Sequence, residues 1–503
     1  MASCCIDREG GPAISEDVTA GFPIHLGVTR LNILLIEAPY DYGRMERMTK
    51  PHFPLGLGYV AAFLRQAGHQ VRLLLNLTPE DLTHHLREFQ PELVGVGCMT
   101  PTFPQAVAIC QAVKAQSHAA TVLGGPHVTA LKDEILSIQP EVDYLVYGEG
   151  EQTMAALCQT LGQPEPDLAA VQGLVYRRAD GTISVNPPRE LIKEVDSLPF
   201  PARDLVDMSR LGTHRYIDVG RVSATMISSR GCPFKCAFCS SHITMGKIYR
   251  FRSAANVLAE IDELVGRYHV NHIAFEDDTF TLNRDRVETI CRELSRRRYD
   301  LTWYCLSRVE SMDLELARLM RRAGCRLVSF GIESGNPEIL KKIHKKISLP
   351  AARRAVEACY QAGLRSQCTF ILGFPFDTEQ TMADTLHFAQ ELSPTIAIFF
   401  ALVPYPGTEM YRYLPESLRP HQATQWQDFA NMINNQGYLS LVPGLSAAEL
   451  TRLTEQWHLR FYLRPRQLYR MFRTLHSWQE FRSFAASGWG LAQKVGRSLV
   501  GTA

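Results

Sequence analysis

The stretch Thr225-Met-Ile-Ser-Ser-Arg230-Gly-Cys232-Pro-Phe-Lys-Cys236-Ala-Phe-Cys239 decides the fold of this chain. Residues 225–230 are typical of a buried strand, and the glycine that follows releases the chain into a loop. The spacing Cys-x3-Cys-x2-Cys suits three corners of a cubane iron–sulfur cluster and leaves the fourth iron without a protein ligand. The sequence therefore predicts a strand that carries a cofactor loop, with the three cysteines as metal ligands.

A structural zinc site is one alternative for these cysteines, and three plain core thiols are another. Zinc normally closes its shell with four ligands. His242 lies just beyond the triplet, but a Cys-x2-Cys pair partnered elsewhere in the chain is the commoner zinc pattern. The cluster is therefore the preferred interpretation.

Length and composition exclude several classes of protein. The chain has 503 residues, of which 46% are hydrophobic, so we expect two or three globular domains. The formal charge is +1, which gives no global electrostatic reason to expect a nucleic-acid partner. No charge-free apolar run reaches membrane-spanning length, and charged residues interrupt the N-terminal tail, 1–29, which we expect to be disordered. An oxygen-sensitive cluster requires a reducing compartment, so we expect a cytoplasmic protein.

Short apolar runs alternate with helical patterns over residues 30–165. This alternation predicts right-handed crossovers and an N-terminal doubly wound, Rossmann-like α/β domain. The predicted strands are 31–36, 70–75, 93–97, 121–124 and 144–147, and the predicted helices are 56–67, 79–88, 104–115, 132–138 and 152–161. Ligands of such sheets bind beyond the carboxyl ends of the strands. The residues at or just beyond those ends include Thr100, Gly124, Gly125, Pro126, His127, Gly148 and Glu149.

A connector at 166–215 contains a hairpin signal, Asp180-Gly181, and ends in a proline-rich segment. Strand and helix patterns then repeat over 216–410, which predicts a partial (β/α)6 barrel. The predicted barrel strands are 224–230, 272–276, 301–307, 327–333, 367–373 and 396–403. Catalytic groups of barrels lie at the carboxyl ends of strands. The residues at those ends include Glu276, Asp277, Ser307, Arg308, Glu333 and Gly373.

Residues 411–503 form a predicted helical C-terminal region that is rich in arginine and tryptophan. From Arg466 onward, Leu468, Met471, Phe472 and Trp478 keep helical spacing. A strap packed on the barrel, a lid over a substrate and a lipid-surface helix all agree with this pattern.

The cysteine spacing resembles the signature of the radical S-adenosylmethionine (SAM) superfamily. Together with Gly124-Gly-Pro-His127 and Gly148-Glu-Gly-Glu151 upstream, residues 30–410 look like a class B radical SAM enzyme, whose N-terminal domain binds cobalamin. The resemblance implies three cofactors: a 4Fe-4S cluster, SAM and cobalamin.

The resemblance also implies roles for individual residues at matching positions. Phe238 corresponds to the aromatic residue that packs on the adenine of SAM, and Gly373 to the adenine-side strand. Glu276 and Asp277 match the segment that contacts the amino group of SAM, while Ser307, Arg308 and Glu333 match strand ends that contact its carboxylate and ribose. The residues that would bind cobalamin lie at the strand ends of the first domain, and they are Thr100, Gly124, Gly125, Pro126, His127, Gly148 and Glu149. No catalytic residue is assigned.

One departure concerns the lower face of cobalt. Some cobalamin domains supply a histidine from the motif Asp-x-His-x-x-Gly, whereas this chain has Asp41-Tyr-Gly-Arg-Met-Glu46 after its first strand. The lower ligand would then be water or another side chain. His52 and His127 are conceivable ligands, although each is more often an ordinary loop histidine.

In the resembled family SAM is cleaved reductively to a 5′-deoxyadenosyl radical. The expected activity is methylation, through methylcobalamin, of an unactivated carbon in a small or lipid-like metabolite, with a phosphinate phosphorus as the other acceptor of that branch. A low-potential donor such as flavodoxin or ferredoxin would supply electrons.

The alternatives to a methyltransferase are an oxidative cyclase or ring-rearranging enzyme with the same cofactors, a methylthiotransferase, and a regulator with an inactive barrel. A methylthiotransferase would need a second three-cysteine cluster, for which the other cysteines are too scattered.

Overall fold

The computed structural model describes residues 30–40, 51–212, 221–429 and 439–474, together with 478, 481 and 482. The predictions for the tail 1–29 and for the loop 41–46 lie outside these residues. The predicted domain limits remain predictions.

Seven strands of the described chain form one sheet in the order β2-β1-β3-β4-β5-β6-β7. They are β1 (Asn32–Glu37), β2 (Gln70–Leu74), β3 (Leu93–Gly97), β4 (Ala120–Gly124), β5 (Tyr144–Val146), β6 (Leu174–Arg177) and β7 (Ile183–Val185). The first five are parallel, and the hairpin β6–β7 adds to β5 in antiparallel orientation. The strand order reverses between β1 and β3, which opens a crevice at their carboxyl ends.

Helices cover both faces of this sheet, because successive side chains of β1 enter different cores. Ile33 and Leu35 pack on one side, and Leu34 and Ile36 on the other. The helices are α1 (Leu55–Gln66), α2 (Pro79–Phe89), α3 (Phe103–Gln116), α4 (Pro126–Leu131), α5 (Asp133–Ile138) and α6 (Gly150–Leu161). The doubly wound N-terminal domain is therefore confirmed.

The second sheet has the order β15-β14-β13-β12-β11-β8, and all its neighbouring strands are parallel. Its strands are β8 (Ser223–Met226), β11 (His272–Phe275), β12 (Thr302–Ser307), β13 (Cys325–Glu333), β14 (Arg365–Leu372) and β15 (Ile396–Ala401). The helices that follow the first five of these strands and the cysteine loop are α7 (Ser241–Met245), α8 (Ala254–Tyr268), α9 (Arg284–Arg297), α10 (Leu314–Arg322), α11 (Pro337–Lys342), α12 (Leu349–Gln361) and α13 (Glu379–Leu392). Within the described chain β8 and β15 lie at opposite edges, so the barrel is open.

The predicted strand 224–230 is broken in the structure. It splits into β8 and a separate short strand β9 (Ser229–Arg230), which pairs in antiparallel orientation with β10 (Arg250–Phe251). The cysteine loop therefore connects the two strands of a separate hairpin and does not directly follow a strand of the barrel sheet.

Side chains cap both edges of the open barrel. At β8, Arg203 donates to the carbonyl of Thr225 at 2.9 Å. At β15, the Tyr462 hydroxyl accepts from the amide of Ala397 at 3.1 Å and donates to its carbonyl at 3.0 Å. These hydrogen bonds occupy backbone groups of the edge strands that could otherwise pair with another chain.

Tyr462 ends α14 (Ala447–Tyr462), which is followed by α15 (Pro465–Arg473). Gln467 of α15 is buried and donates to the carbonyls of Pro394 and Thr395, just before β15 begins. Helix α15 therefore packs on the amino end of the barrel, opposite the mouth, as a strap and not as a lid. No described helix is long and apolar enough to cross a membrane.

Candidate active site

Gly231 sets the direction of the cysteine loop. Its φ is +77°, and a Cβ there would lie 2.4 Å from the carbonyl oxygen of Ile248. Only glycine fits this turn without displacing backbone. The loop is then fixed by two backbone hydrogen bonds, from Ala237 N–H to Ile343 and from Met410 N–H to Ala237.

The three thiols lie close enough to influence one another electrostatically. Burial raises the pKa of Cys239 to about 12, with smaller contributions from Cys236 and Cys232. Burial also raises the pKa of Cys236, which the nearby Lys345 and Arg308 lower in part. Buried thiols of this kind become thiolates when metal binds, and the donor set fits three corners of an iron–sulfur cluster. Among the described residues, no three Cys, His, Asp or Glu side chains converge on a position for a single metal ion.

Lys345 and Arg308 place positive charge beside the cluster loop. Lys345 pairs with Glu333 at 3.0 Å, and its Nζ lies 5.9 Å from the ring centroid of Phe238. The Arg308 guanidinium stacks 3.6 Å from the ring centroid of Phe234. Arg308 and Glu333 thus lie beside the cluster loop, where the resemblance puts the carboxylate and ribose of SAM. Lys345 was not predicted as a site residue, because nothing in the local sequence distinguishes it from a surface lysine.

Asp277 supports the backbone that leads to the cysteines. Its buried carboxylate accepts from the amide and hydroxyl of Ser228, at 3.0 and 2.8 Å, and from the hydroxyl of Ser229. Its neighbour Glu276 faces the cavity between the two domains and accepts from the Tyr304 hydroxyl at 2.8 Å. Burial raises the pKa of Glu276, and the hydrogen bond from Tyr304 opposes this shift. Of this predicted pair, Glu276 is the one placed to meet a ligand.

Two other predicted SAM contacts, Ser307 and Gly373, make contacts with other residues of the chain. The Ser307 hydroxyl lies 2.5 Å from that of Thr281. Gly373 has φ +90°, donates its amide to Asp377 at 3.1 Å, and leaves no room for a Cβ beside Leu450 of α14. Neither position is contradicted as a SAM contact, and both remain predictions.

A cavity of about 480 Å³ lies between the first sheet and the cysteine loop. On one side it is lined by the carboxyl ends of the sheet. On the other side it is lined by Arg230, Gly231, Ser240, Ser241 and Glu276. The ends of both sheets therefore open into one space.

One wall of this cavity is the part of the first sheet where glycines interrupt the rows of aliphatic side chains. Gly95 and Gly97 of β3 are in register with Val122 and Gly124 of β4, and all four line the cavity. A Cβ on Gly97 would come within 3.1 Å of Leu57. The result is a mostly apolar slot between the sheet and helices α1 and α6.

Most of the predicted cobalamin contacts border this cavity, namely Gly124, Gly125, Pro126, Gly148 and Glu149. At Gly125 a Cβ would lie 2.3 Å from the carbonyl of Cys98, so a side chain is excluded there. The cradle formed by these small residues fits a large planar corrinoid at the strand ends.

Thr100 and His127 are turned away from the cavity. His127 has no exposed surface and lies between the rings of Phe103 and Trp426, at centroid distances of 4.3 and 4.7 Å. Its Nδ1 is 3.3 Å from the Thr100 hydroxyl. This placement gives no support to Thr100 or His127 as a cofactor contact. It also gives no support to His127 as a ligand of cobalt, because its ring does not line the cavity.

A buried ion network joins the two domains at the cavity wall. Arg230 pairs with Glu149 at 2.9 Å and with Glu151 at 2.6 Å, and Arg250 pairs with Glu149 at 2.8 Å. The Ile192 amide donates to Glu149 as well. Both Glu149 carboxylate oxygens are therefore used within the protein. Sequence reasoning missed Arg230 and Arg250, although Arg230 stands directly before the Gly-Cys turn.

Comparisons with known proteins agree with this architecture. Residues 226–389 match the Radical SAM superfamily and residues 45–158 match the B12 binding domain. An uncharacterised methyltransferase of Pyrococcus horikoshii is 32% identical over 450 residues, covering 87% of this chain and 94% of that protein. The anaerobic magnesium-protoporphyrin IX monomethyl ester cyclase of Rubrivivax gelatinosus is 27% identical over 398 residues, covering 77% and 71%.

Among solved structures, the fold is similar to that of TsrM from Kitasatospora setae, a radical SAM methyltransferase solved with cobalamin and a 4Fe-4S cluster bound. The TM-score is 0.63 at 21% identity, over 76% of this chain and 74% of that chain. The chain belongs to the radical SAM enzymes that carry an N-terminal cobalamin-binding domain. Its cofactors are a 4Fe-4S cluster, SAM and cobalamin.

Proposed function

We propose that this enzyme is a cobalamin-dependent radical SAM methyltransferase that methylates an unactivated carbon of a small or lipid-like metabolite. The cofactors supply the difficult chemistry, namely reductive cleavage of SAM to a 5′-deoxyadenosyl radical and methyl transfer through methylcobalamin. The protein binds them, orients them and excludes water. Cys232, Cys236 and Cys239 hold the cluster.

The observation that carries the proposal is the shared cavity. The strand ends that we expect to bind the corrinoid and residues of the loop that we expect to hold the cluster line the same space. A substrate carbon held there is within reach of both a hydrogen-abstracting radical and a methyl donor, as methyl transfer requires. The methyltransferase name of the relative in Pyrococcus horikoshii supports the same conclusion.

The first test is cofactor retention by the anaerobically reconstituted protein. We expect about four irons and one cobalamin per chain. Replacing Cys232, Cys236 and Cys239 by alanine should remove the iron and abolish SAM cleavage while cobalamin is retained. Cys110→Ala, a buried thiol on the far side of the first sheet, is the matched control and should keep its iron. Full iron content in the triple variant would contradict the ligand assignment.

The second test is stoichiometry with methyl-labelled SAM. Methylation consumes two SAM and two electrons for each methylated product. One SAM ends as methionine and 5′-deoxyadenosine, and the other, which remethylates cobalt, ends as S-adenosylhomocysteine. Equal amounts of labelled product, 5′-deoxyadenosine and S-adenosylhomocysteine are expected. A product without label, with 5′-deoxyadenosine but no S-adenosylhomocysteine, would instead identify a cyclase.

The cyclase is the second candidate, because the relative in Rubrivivax gelatinosus carries that name.

We further propose a low-potential flavodoxin or ferredoxin as electron donor and a reducing, cytoplasmic location. The donor is tested by adding purified, reduced flavodoxin or ferredoxin to the enzyme and following the loss of the visible absorbance of the oxidised cluster.

A further inference from the structure

Glu37 places a further carboxyl group in the cavity. Glu37 is the last residue of β1, where it is in register with Gly97 of β3. Gly97 is in register with Gly124, so the next two positions on this row, in β3 and β4, carry no side chain. The Glu37 Oε2 lies 3.1 Å from the position of a Cβ on Gly97, which places the carboxyl over the glycine backbone.

The surroundings of Glu37 in the slot are apolar. Leu35, Leu57, Val60 and Met154 line the same cavity. A space walled by aliphatic side chains and glycine backbone suits an aromatic ring. Next to these aliphatic side chains, the Glu37 carboxyl is placed to set the orientation of such a ring through one hydrogen bond.

We propose that the Glu37 carboxyl donates a hydrogen bond to the ring nitrogen of the benzimidazole base in the nucleotide tail of cobalamin, held in this slot. That nitrogen is the one acceptor on an otherwise apolar ring. Its lone pair is then used by Glu37 and is not available to cobalt. The proposal rests on cobalamin as cofactor and holds equally for a methyltransferase and a cyclase.

The protonation state of Glu37 agrees with a donor role. Burial raises its pKa to about 8, so the carboxyl keeps its proton at neutral pH. The neighbouring charged and titratable groups are Cys98 at the end of β3, Glu149 and Glu151 at the start of α6, Arg230, which pairs with both glutamates, and Glu276 and Asp278 across the cavity. Burial also keeps the Cys98 thiol protonated by raising its pKa.

The test compares cobalamin with cobinamide, which has the same corrin ring but no nucleotide tail. The full-length protein is titrated with each corrinoid between pH 6 and about 9.5, and binding is followed by absorbance. We expect cobalamin affinity to fall as the pH rises through about 8, because ionisation removes the donor and places a charge in an apolar slot. Cobinamide affinity should not change over this interval.

Three variants sharpen the comparison. Glu37→Leu should weaken cobalamin binding about tenfold, the size of one lost buried hydrogen bond, and leave cobinamide binding unchanged. Glu37→Gln keeps a donor that does not titrate, so cobalamin affinity at pH 7 should be retained and its fall above pH 8 should disappear. Glu88→Gln, an exposed carboxyl on α2, should behave as the wild type.

A second readout is the electron paramagnetic resonance spectrum of bound cob(II)alamin. We expect no nitrogen superhyperfine splitting from the base in the wild type. An equal affinity of Glu37→Leu and wild type for cobalamin, or base nitrogen on cobalt in the wild type, would overturn the role of Glu37. Binding of neither corrinoid would overturn the cofactor assignment itself, whereas failure to methylate would overturn only the proposed reaction. Because Glu37→Gln keeps the shape of the side chain, a folding defect in Glu37→Leu does not remove the test.

Discussion

At the scale of single residues, the imidazole of His127 illustrates the cost of burial. Its Nε2 has no hydrogen-bond partner among the described residues, and burial lowers its pKa to about 3. The folded chain therefore binds no proton there until the pH approaches 3, whereas the unfolded chain binds one below about 6.5. The stability associated with His127 is fully present above pH 6.5 and is lost as the pH falls toward 3.

We expect His127→Phe to reduce the loss of stability between pH 7 and pH 5, because the unfolded variant gains no proton at this position. Urea unfolding at the two pH values measures this difference. His84→Phe, at an exposed position on α2, should keep the wild-type dependence. Cobalamin affinity should be unchanged in His127→Phe, since the ring lies outside the cavity. A large loss of cobalamin would show that His127 contacts the cofactor.

At the scale of secondary-structure elements, the network around Glu149 connects the loop after β5 to the hairpin β9–β10. Removing one partner of a buried ion pair leaves an uncompensated charge and costs about 3–5 kcal/mol. We expect Glu149→Gln to lower the free energy of unfolding by several kcal/mol and to reduce iron and cobalamin retention together. Glu190→Gln, which breaks an exposed pair with Lys193, is the control and should have little effect. Loss of cobalamin with full iron retention would contradict a coupling of the two loops.

The edge of β15 gives a second prediction at this scale. Tyr462→Phe removes the hydroxyl that satisfies both backbone groups of Ala397. We expect a loss of about 1–2 kcal/mol in the free energy of unfolding and faster aggregation near the unfolding midpoint. Chemical denaturation and light scattering measure the two effects. Tyr469→Phe, on the exposed face of α15, should change neither.

Element by element, the strands were predictable because their residues form short apolar runs, as in 31–36 and 396–403. The hairpin β9–β10 was not, because residues 225–230 form one continuous strand pattern and the partner Arg250 lies 20 residues along the chain. The cysteine triplet was found from its local spacing, and its role as the set of cluster ligands remains a prediction. The glycine-rich strand ends were singled out through the family resemblance, because glycine at a strand end is also ordinary turn chemistry. Glu37, Arg230 and Lys345 have no such signal, because their environment is created by residues distant in sequence.

At the scale of the whole molecule, the two sheets direct their carboxyl ends toward each other, and the C-terminal helix α15 packs at the far end of the barrel. We therefore expect substrate specificity to depend mainly on residues at the junction between the domains. We expect deletion of residues after 445 to destabilise the barrel through loss of the β15 cap. Limited proteolysis of such a truncated chain, with the full chain as control, measures this effect. A fully protease-resistant truncated chain would contradict a structural role for α14 and α15.

The glycine-walled slot also bears on how cells make this protein. A chain that folds without cobalamin retains a cavity of about 480 Å³ between its first sheet and its cysteine loop, and much of the lining of this cavity is apolar. A corrinoid that fills it stabilises the folded chain by mass action, by about 2.7 kcal/mol at a concentration one hundred times its dissociation constant. The yield of intact protein should then depend on vitamin supply during synthesis: hosts that import corrinoids should accumulate folded chain, and hosts without uptake should degrade it.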